Sequence, residues 1–141
     1  MPMLLSRKNA RLGATGIAGL RVAIGAAAWV APGAALAPWI GRKESSTVGA
    51  KLLARSLGSR DIGLGLGALL AMRHDAPVRG WIEAGALSDV GDTVATLLIL
   101  GRIPTRLKWG VLATTLGAVA AGAVLSPCVD CHEPEADEED L

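Results

Sequence analysis

Leu57-Gly58-Ser59-Arg60-Asp61-Ile62-Gly63-Leu64-Gly65-Leu66-Gly67 sets an arginine and an aspartate side by side in a run that is otherwise glycine, serine and aliphatic. A second stretch, Leu87-Ser88-Asp89-Val90-Gly91-Asp92, does the same with two aspartates. Neither run alternates with period two, and their Ala and Leu content favours helix over strand. Ionisable groups in the middle of long apolar helices are costly in lipid, so they face a bundle interior and pair there. These two stretches, with Arg21 in an earlier apolar run, define a helical membrane bundle with a charged centre.

Working outward, four apolar segments are predicted as helices, at about 12–31, 47–72, 78–100 and 107–125. Pro32-Gly33 stops the first, and Ser45, Ser46 or Thr47 supplies an N-cap for the second. Pro77 precedes the third, Gly101 closes it, and Ser126-Pro127 ends the fourth. Each is near the roughly 20 residues that cross a hydrocarbon core of about 30 Å. Ala34 to Ile40 is too short to cross and is expected along the interface. The expected fold is all-α, a four-transmembrane-helix up-down bundle spanning 12–125. A basic segment precedes it at 1–11, and a disordered, acidic, Cys-containing tail follows at 126–141. The Ala35-Leu36-Ala37 stretch mimics a signal-peptidase site, but Arg21 interrupts the apolar run before it, so a retained first helix is expected.

Composition agrees. The 141 residues are 51% hydrophobic and contain no Phe or Tyr, so glycine and alanine replace the aromatic bulk of a soluble core. The four tryptophans, Trp29, Trp39, Trp81 and Trp109, fall near segment ends, as in a membrane-interface belt. Small residues recur four apart in every segment: Gly19, Ala23 and Ala27; Ser59, Gly63, Gly67 and Ala71; Gly80, Ala84 and Ser88; Gly110, Thr114, Ala118 and Gly122. Such stripes are the expected helix-contact faces. Exposed ones would also suit self-association or docking into a larger membrane complex.

Asp130 to Leu141 holds seven of the 13 acids and no Lys or Arg, leaving six acids against 14 basic residues in the rest. The basic residues lie between apolar segments rather than along one face, which excludes a nucleic-acid footprint. Five Lys and Arg lie near the side of the termini and six on the other (Arg42, Lys43, Lys51, Arg102, Arg106 and Lys108). That near balance leaves the first helix to decide orientation, with both termini in the cytoplasm of a cell whose inner (plasma) membrane the chain crosses.

The depth of the charges follows from antiparallel pairing about the turn at Asp75–Pro77. Arg60 is then level with Asp92, and Asp89 with Gly63, and Asp92 lies about 16 Å below the turn at 1.5 Å per residue. Arg21 reaches a similar depth. Arg21, Arg60, Asp61, Asp89 and Asp92 therefore form the candidate intramembrane cluster. Arg21 and Arg60 are expected to neutralise Asp89 and Asp92, and Asp61 is the spare acid, since Arg60 points to a different helix face. Glu83, nearer the interface, pairs with Arg11 or Arg79.

The form G-x-R-D-x-x-L-G-x-G around Arg60-Asp61, with Ser88-Asp89-Val90-Gly91-Asp92, resembles a family of small bacterial, mainly actinobacterial, four-helix membrane proteins of unknown function. Arg21-Val22-Ala23-Ile24-Gly25 with Ala31-Pro32-Gly33 is similar to that family's opening. The resemblance covers about residues 10–125. It implies the four-helix fold and carries no activity.

The tail spells Cys128-Val129-Asp130-Cys131-His132, the C-x-x-C-H attachment sequence for c-type haem. Only nine residues follow, too few to enclose a haem or supply an opposing axial ligand. Two thiolates and His132 could also bind zinc with a fourth ligand such as Glu133, or the two cysteines could form a redox pair. A tail that binds nothing is the reading preferred over all three.

Three functions then compete. The first is a non-enzymatic accessory or scaffold subunit, held together by its charged layer, with no cofactor and with membrane lipid around it. The second is a small proton-coupled or small-molecule transporter using Asp61, Asp89 or Asp92. The third is a redox or metal-binding role for Cys128, Cys131 and His132.

Overall fold

A computed structural model describes residues 6–103 and 105–130, the Arg106 side chain excepted. The described residues are helical throughout, with no strand. Helix α1 spans Arg7–Val30, α2 Pro32–Ile40, α3 Arg42–Ser45, α4 Val48–Arg73, α5 Arg79–Leu98 and α6 Thr105–Leu125. A 3-10 turn at Leu100–Arg102 separates the last two.

Helix α1 starts earlier than its apolar run because Ser6 accepts a hydrogen bond from the Asn9 amide, and Arg7, Lys8 and Arg11 are good helix formers. Thr47 caps α4 in the same way through the Ala50 amide. Helix α2 opens on Pro32, where a missing amide proton matters little, and ends at Gly41, whose φ of 88° only glycine adopts readily.

The four long helices run up and down in chain order. They form two close antiparallel pairs, α1 on α4 and α5 on α6, which touch each other less extensively. The α1–α4 seam is made by backbone rather than by side chains. A methyl group at Gly25 would sit 2.5 Å from the Gly58 carbonyl, and one at Gly65 would sit 2.5 Å from the Ala18 carbonyl. These contacts lie seven residues apart on each helix, two turns, so the same faces meet again at the next crossing.

The stripes expected from four-residue spacing are displaced. On α1 the buried face is Ala10, Ala14, Ala18, Gly25 and Ala28, whereas Gly19, Ala23 and Ala27 are exposed. On α4 it is Ala54, Gly58, Gly65, Ala68 and Ala71, with Ser59 and Gly63 outside. Gly80 and Ala84 of α5 and Gly110 and Thr114 of α6 are likewise exposed, whereas Ala71 and Gly122 of the expected stripes are buried and Gly67 packs against Trp81. In helices this rich in Gly and Ala, small residues recur four apart on every face, so that spacing cannot choose among them. The buried arginines and aspartates can, since Arg21 falls between Ala18 and Gly25, and Asp61 between Gly58 and Gly65.

The number of spans also differs from expectation. Only α1 and the Leu107–Leu125 part of α6 are both long and apolar enough to cross a membrane. Helices α4 and α5, of 26 and 20 residues, have the length but carry five and four charged residues.

One apolar core lies at the end that carries both termini. It gathers Ala10, Ala14, Ala71, Val78, Ile82, Leu125, Cys128 and Val129. The segment after α6 therefore does not begin as a bare tail. Val129 is fully buried, and the Asp130 carboxylate accepts hydrogen bonds at 2.8 Å from the amides of Val78 and Arg79. Helix α5 has no capping side chain of its own, so Asp130 supplies its N-terminal acceptor from the far end of the chain. The expected disorder of 131–141 concerns residues outside those described.

Candidate functional site

The five charged side chains singled out in the sequence form one connected chain of alternating sign. From α1, Arg21 donates to Asp89 of α5 at 2.5 Å and to Asp61 of α4 at 2.9 Å. From α4, Arg60 donates to both carboxylate oxygens of Asp92 on α5, at 3.1 and 2.8 Å. The same guanidinium reaches Asp61 at 3.4 Å. The order is thus Asp89, Arg21, Asp61, Arg60, Asp92, beginning and ending on α5. Side-chain exposure across the chain runs from 13% to 32%.

Asp61 is not spare. Its Oδ1 accepts from both arginines and joins the two halves of the network. Successive residues on a helix point about 100° apart, which separates Arg60 from Asp61 near the backbone. The guanidinium nevertheless lies at the end of a long stem and returns to its neighbour, and Arg21 approaches from α1 on the other side. Asp89 is satisfied from α1 rather than across from Gly63.

The network sits where apolar packing is thinnest, between the α1–α4 pair and α5. Fork-shaped guanidinium groups suit that position, because each offers several fixed donors and Arg60 holds Asp92 through two of them. Arg60 Nε is buried without a protein acceptor. Next to Arg21 and Asp89 lies a cavity of about 20 Å³, also lined by Trp81, Ala118 and Gly122. That is room for about one water molecule. Thr93 is buried beside the cluster and donates to the Asp89 carbonyl.

Around the site the tryptophans bond across helices. Trp29 donates to Ser59 and Trp39 of α2 donates to Thr96 of α5. Trp81 lies flat against Gly67, where any side chain would overlap the indole. Glu83 pairs with Arg79 at 2.6 Å on its own helix, and Arg11 approaches Asp75 at 4.0 Å.

Of the tail motif, Cys128 is 6% exposed and belongs to the apolar core. Cys131 and His132 lie outside the described residues, as does Glu133. The capping role of Asp130 was missed because the residue reads as the first of an acidic run. Its signal was indirect, a helix starting near Val78 with no Ser, Thr, Asp or Asn in place to cap it.

No known family, curated protein or solved structure matches this chain.

Proposed function

We propose that this chain is a multi-pass membrane protein whose four long helices all cross the bilayer. Its arginine–aspartate network acts as the fastening of a non-enzymatic scaffold or accessory subunit. One observation carries the reading, an inversion of polarity. Among the described residues twenty large apolar side chains are at least 40% exposed, on all four long helices, while the interior is mostly alanine and glycine with a few larger apolar residues, and five ionisable groups sit largely shielded between the helices. In water such a surface would drive association; in lipid it is the ordinary outside of a bundle.

The charges that lower the hydropathy of α4 and α5 support this reading when placed. Between Arg55 and Arg73 the only charged residues of α4 are Arg60 and Asp61, and beyond Glu83 the only ones of α5 are Asp89 and Asp92. All four turn inward to one another. The motif resemblance to small bacterial four-helix membrane proteins agrees and adds no activity.

Fastening is favoured over transport because each carboxylate accepts hydrogen bonds from an arginine of another helix. The adjoining space takes about one water. Topology is tested with reporters fused after residues 43, 75, 103 and 141. Reporters at 43 and 103 should answer from the side opposite to those at 75 and 141. The scaffold role is tested in proteoliposomes under a pH gradient, where no flux above empty vesicles is expected. A proton flux abolished by Asp61→Asn or Asp89→Asn would establish the carrier reading instead.

A further inference from the structure

We infer that the open cavity framed by α2, α3 and the starts of α4 and α6 binds the phosphate headgroup of an anionic phospholipid. The inference rests on the membrane reading and goes beyond it by naming a lipid class and a site.

The cavity measures about 700 Å³ and lies at the end of the bundle away from the termini. Its wall is divided by chemistry. Ala34, Ala37, Pro38 and Leu107 give an apolar side, and Arg42 and Lys51 give a cationic one. Neither cation has an ion-pair partner among the described residues, nor do Lys43, Arg102 and Lys108 nearby in sequence. Between Ala31 and Arg60 the sole acid is Glu44, and between Thr93 and Val129 there is none. At the opposite end two of the cations, Arg11 and Arg79, have Asp75 and Glu83, while Arg7, Lys8 and Arg73 have no ion pair among the described residues. Arg42 and Lys51 therefore face an open space whose wall holds no acid and have no ion pair among the described residues.

A negative ligand completes that arrangement, and its size and second character follow from the walls. A space of several hundred Å³ accommodates a drug-sized molecule rather than a bare ion. Lys51 is followed on α4 by Leu52 and Leu53, which are 66% and 55% exposed. A phosphodiester on a glycerolipid offers both halves, a charged head for Arg42 and Lys51 and an acyl chain for the leucine surface. The position also fits, because α2 lies across the helix ends, tied to α5 by the Trp39–Thr96 hydrogen bond.

The test uses the full chain, taken from membranes with mild detergent after an alkaline carbonate wash. Release by carbonate alone would overturn the membrane reading, and the lipid site with it. For retained protein, native mass spectrometry is run against phosphatidylglycerol, phosphatidylcholine and inorganic phosphate. Phosphatidylglycerol should bind at a concentration about tenfold or more below phosphatidylcholine. Arg42→Gln with Lys51→Gln should abolish that preference, Arg42→Lys with Lys51→Arg should keep it, and Lys8→Gln with Arg73→Gln at the far end should leave it intact. Each single glutamine variant should lose part of it if the double variant does not fold. Equal binding of the two lipids, or a preference surviving the glutamine variants, would overturn the site. Displacement of the lipid by millimolar inorganic phosphate would assign the cavity to a soluble anion instead.

Discussion

Arg60 of α4 grips both carboxylate oxygens of Asp92 on α5, and this is the only two-pronged ion pair between helices among the described residues. It joins the close α1–α4 pair to its neighbours where backbone approach is slight. Removing either partner strands the other. Breaking a fully buried pair costs about 3–5 kcal/mol, and these side chains are about a third exposed, so about 2 kcal/mol is expected for Arg60→Ala or Asp92→Ala. Thermal unfolding in detergent measures it. The exchange Arg60→Asp with Asp92→Arg should recover part of the loss. Recovery stays incomplete because the new aspartate at position 60 would adjoin Asp61. Additive losses with no recovery would mean that the pair is not coupled.

Asp61 has the largest consequences for its neighbours, since both arginines donate to the same oxygen. Asp61→Asn keeps an acceptor there and evens the charge of the layer, which otherwise holds three acids against two arginines. Asp61→Ala leaves Arg21 Nη1 without its acceptor and removes the longer of the two contacts of Arg60 Nη2, which keeps Asp92. The alanine variant should therefore lose at least about 1 kcal/mol more than the asparagine variant. Pairing Asp61→Ala with Arg21→Ala should cost less than the sum of the single changes, a coupling read from a double-mutant cycle in the same unfolding assay. Strict additivity would remove Asp61 from the centre of the network.

Much of this layout was legible because charge in apolar helices is informative. Antiparallel register about the Asp75–Pro77 turn put Arg60 level with Asp92, and they bond. The same register put Asp89 level with Gly63, which offers no partner, and the similar depth of Arg21 supplied one, since Arg21 bonds Asp89. What the sequence did not show is that Arg21 also holds Asp61. The contact faces were misread for a different reason. Gly and Ala are so frequent that four-residue repeats arise on every face, and only the inward charges distinguish the faces. The Asp130 cap was invisible because it joins residues 51 and 52 positions apart in sequence through an otherwise ordinary acid. Four spans were expected from length, yet among the described helices hydropathy supports two, since α4 and α5 carry more charge.

The glycines divide sharply by what a methyl group would meet. Gly25, Gly58 and Gly65 face backbone atoms of the partner helix, so alanine there must push α1 and α4 apart. Overpacking of this kind costs about 1–3 kcal/mol. Gly16, Gly19 and Gly63 open onto free space, where alanine should be neutral or stabilise by up to about 1 kcal/mol through helix propensity. Gly63→Ala against Gly65→Ala is the sharpest comparison, as the two lie two residues apart on the same helix. Equal effects in thermal unfolding would show that the α1–α4 seam is not a backbone contact.

The start of the tail should behave as part of the fold. Asp130 caps α5 through two amides, and loss of a capping acid costs about 1 kcal/mol, so Asp130→Ala should lower detergent stability by about that amount, with Asp130→Asn in between. Cys128, at 6% exposure in the terminal core, should be shielded from a water-soluble maleimide. In a Cys131→Ser background the native protein should label at least tenfold more slowly than the denatured one, and Asp130→Ala should speed labelling by loosening the cap. The reason is geometric: Cys128, Val129 and Asp130 are consecutive, so releasing the carboxylate from Val78 and Arg79 frees the segment that keeps the thiol inside. Rapid labelling of the folded protein without that substitution would mean that the segment is not docked and that α5 begins uncapped.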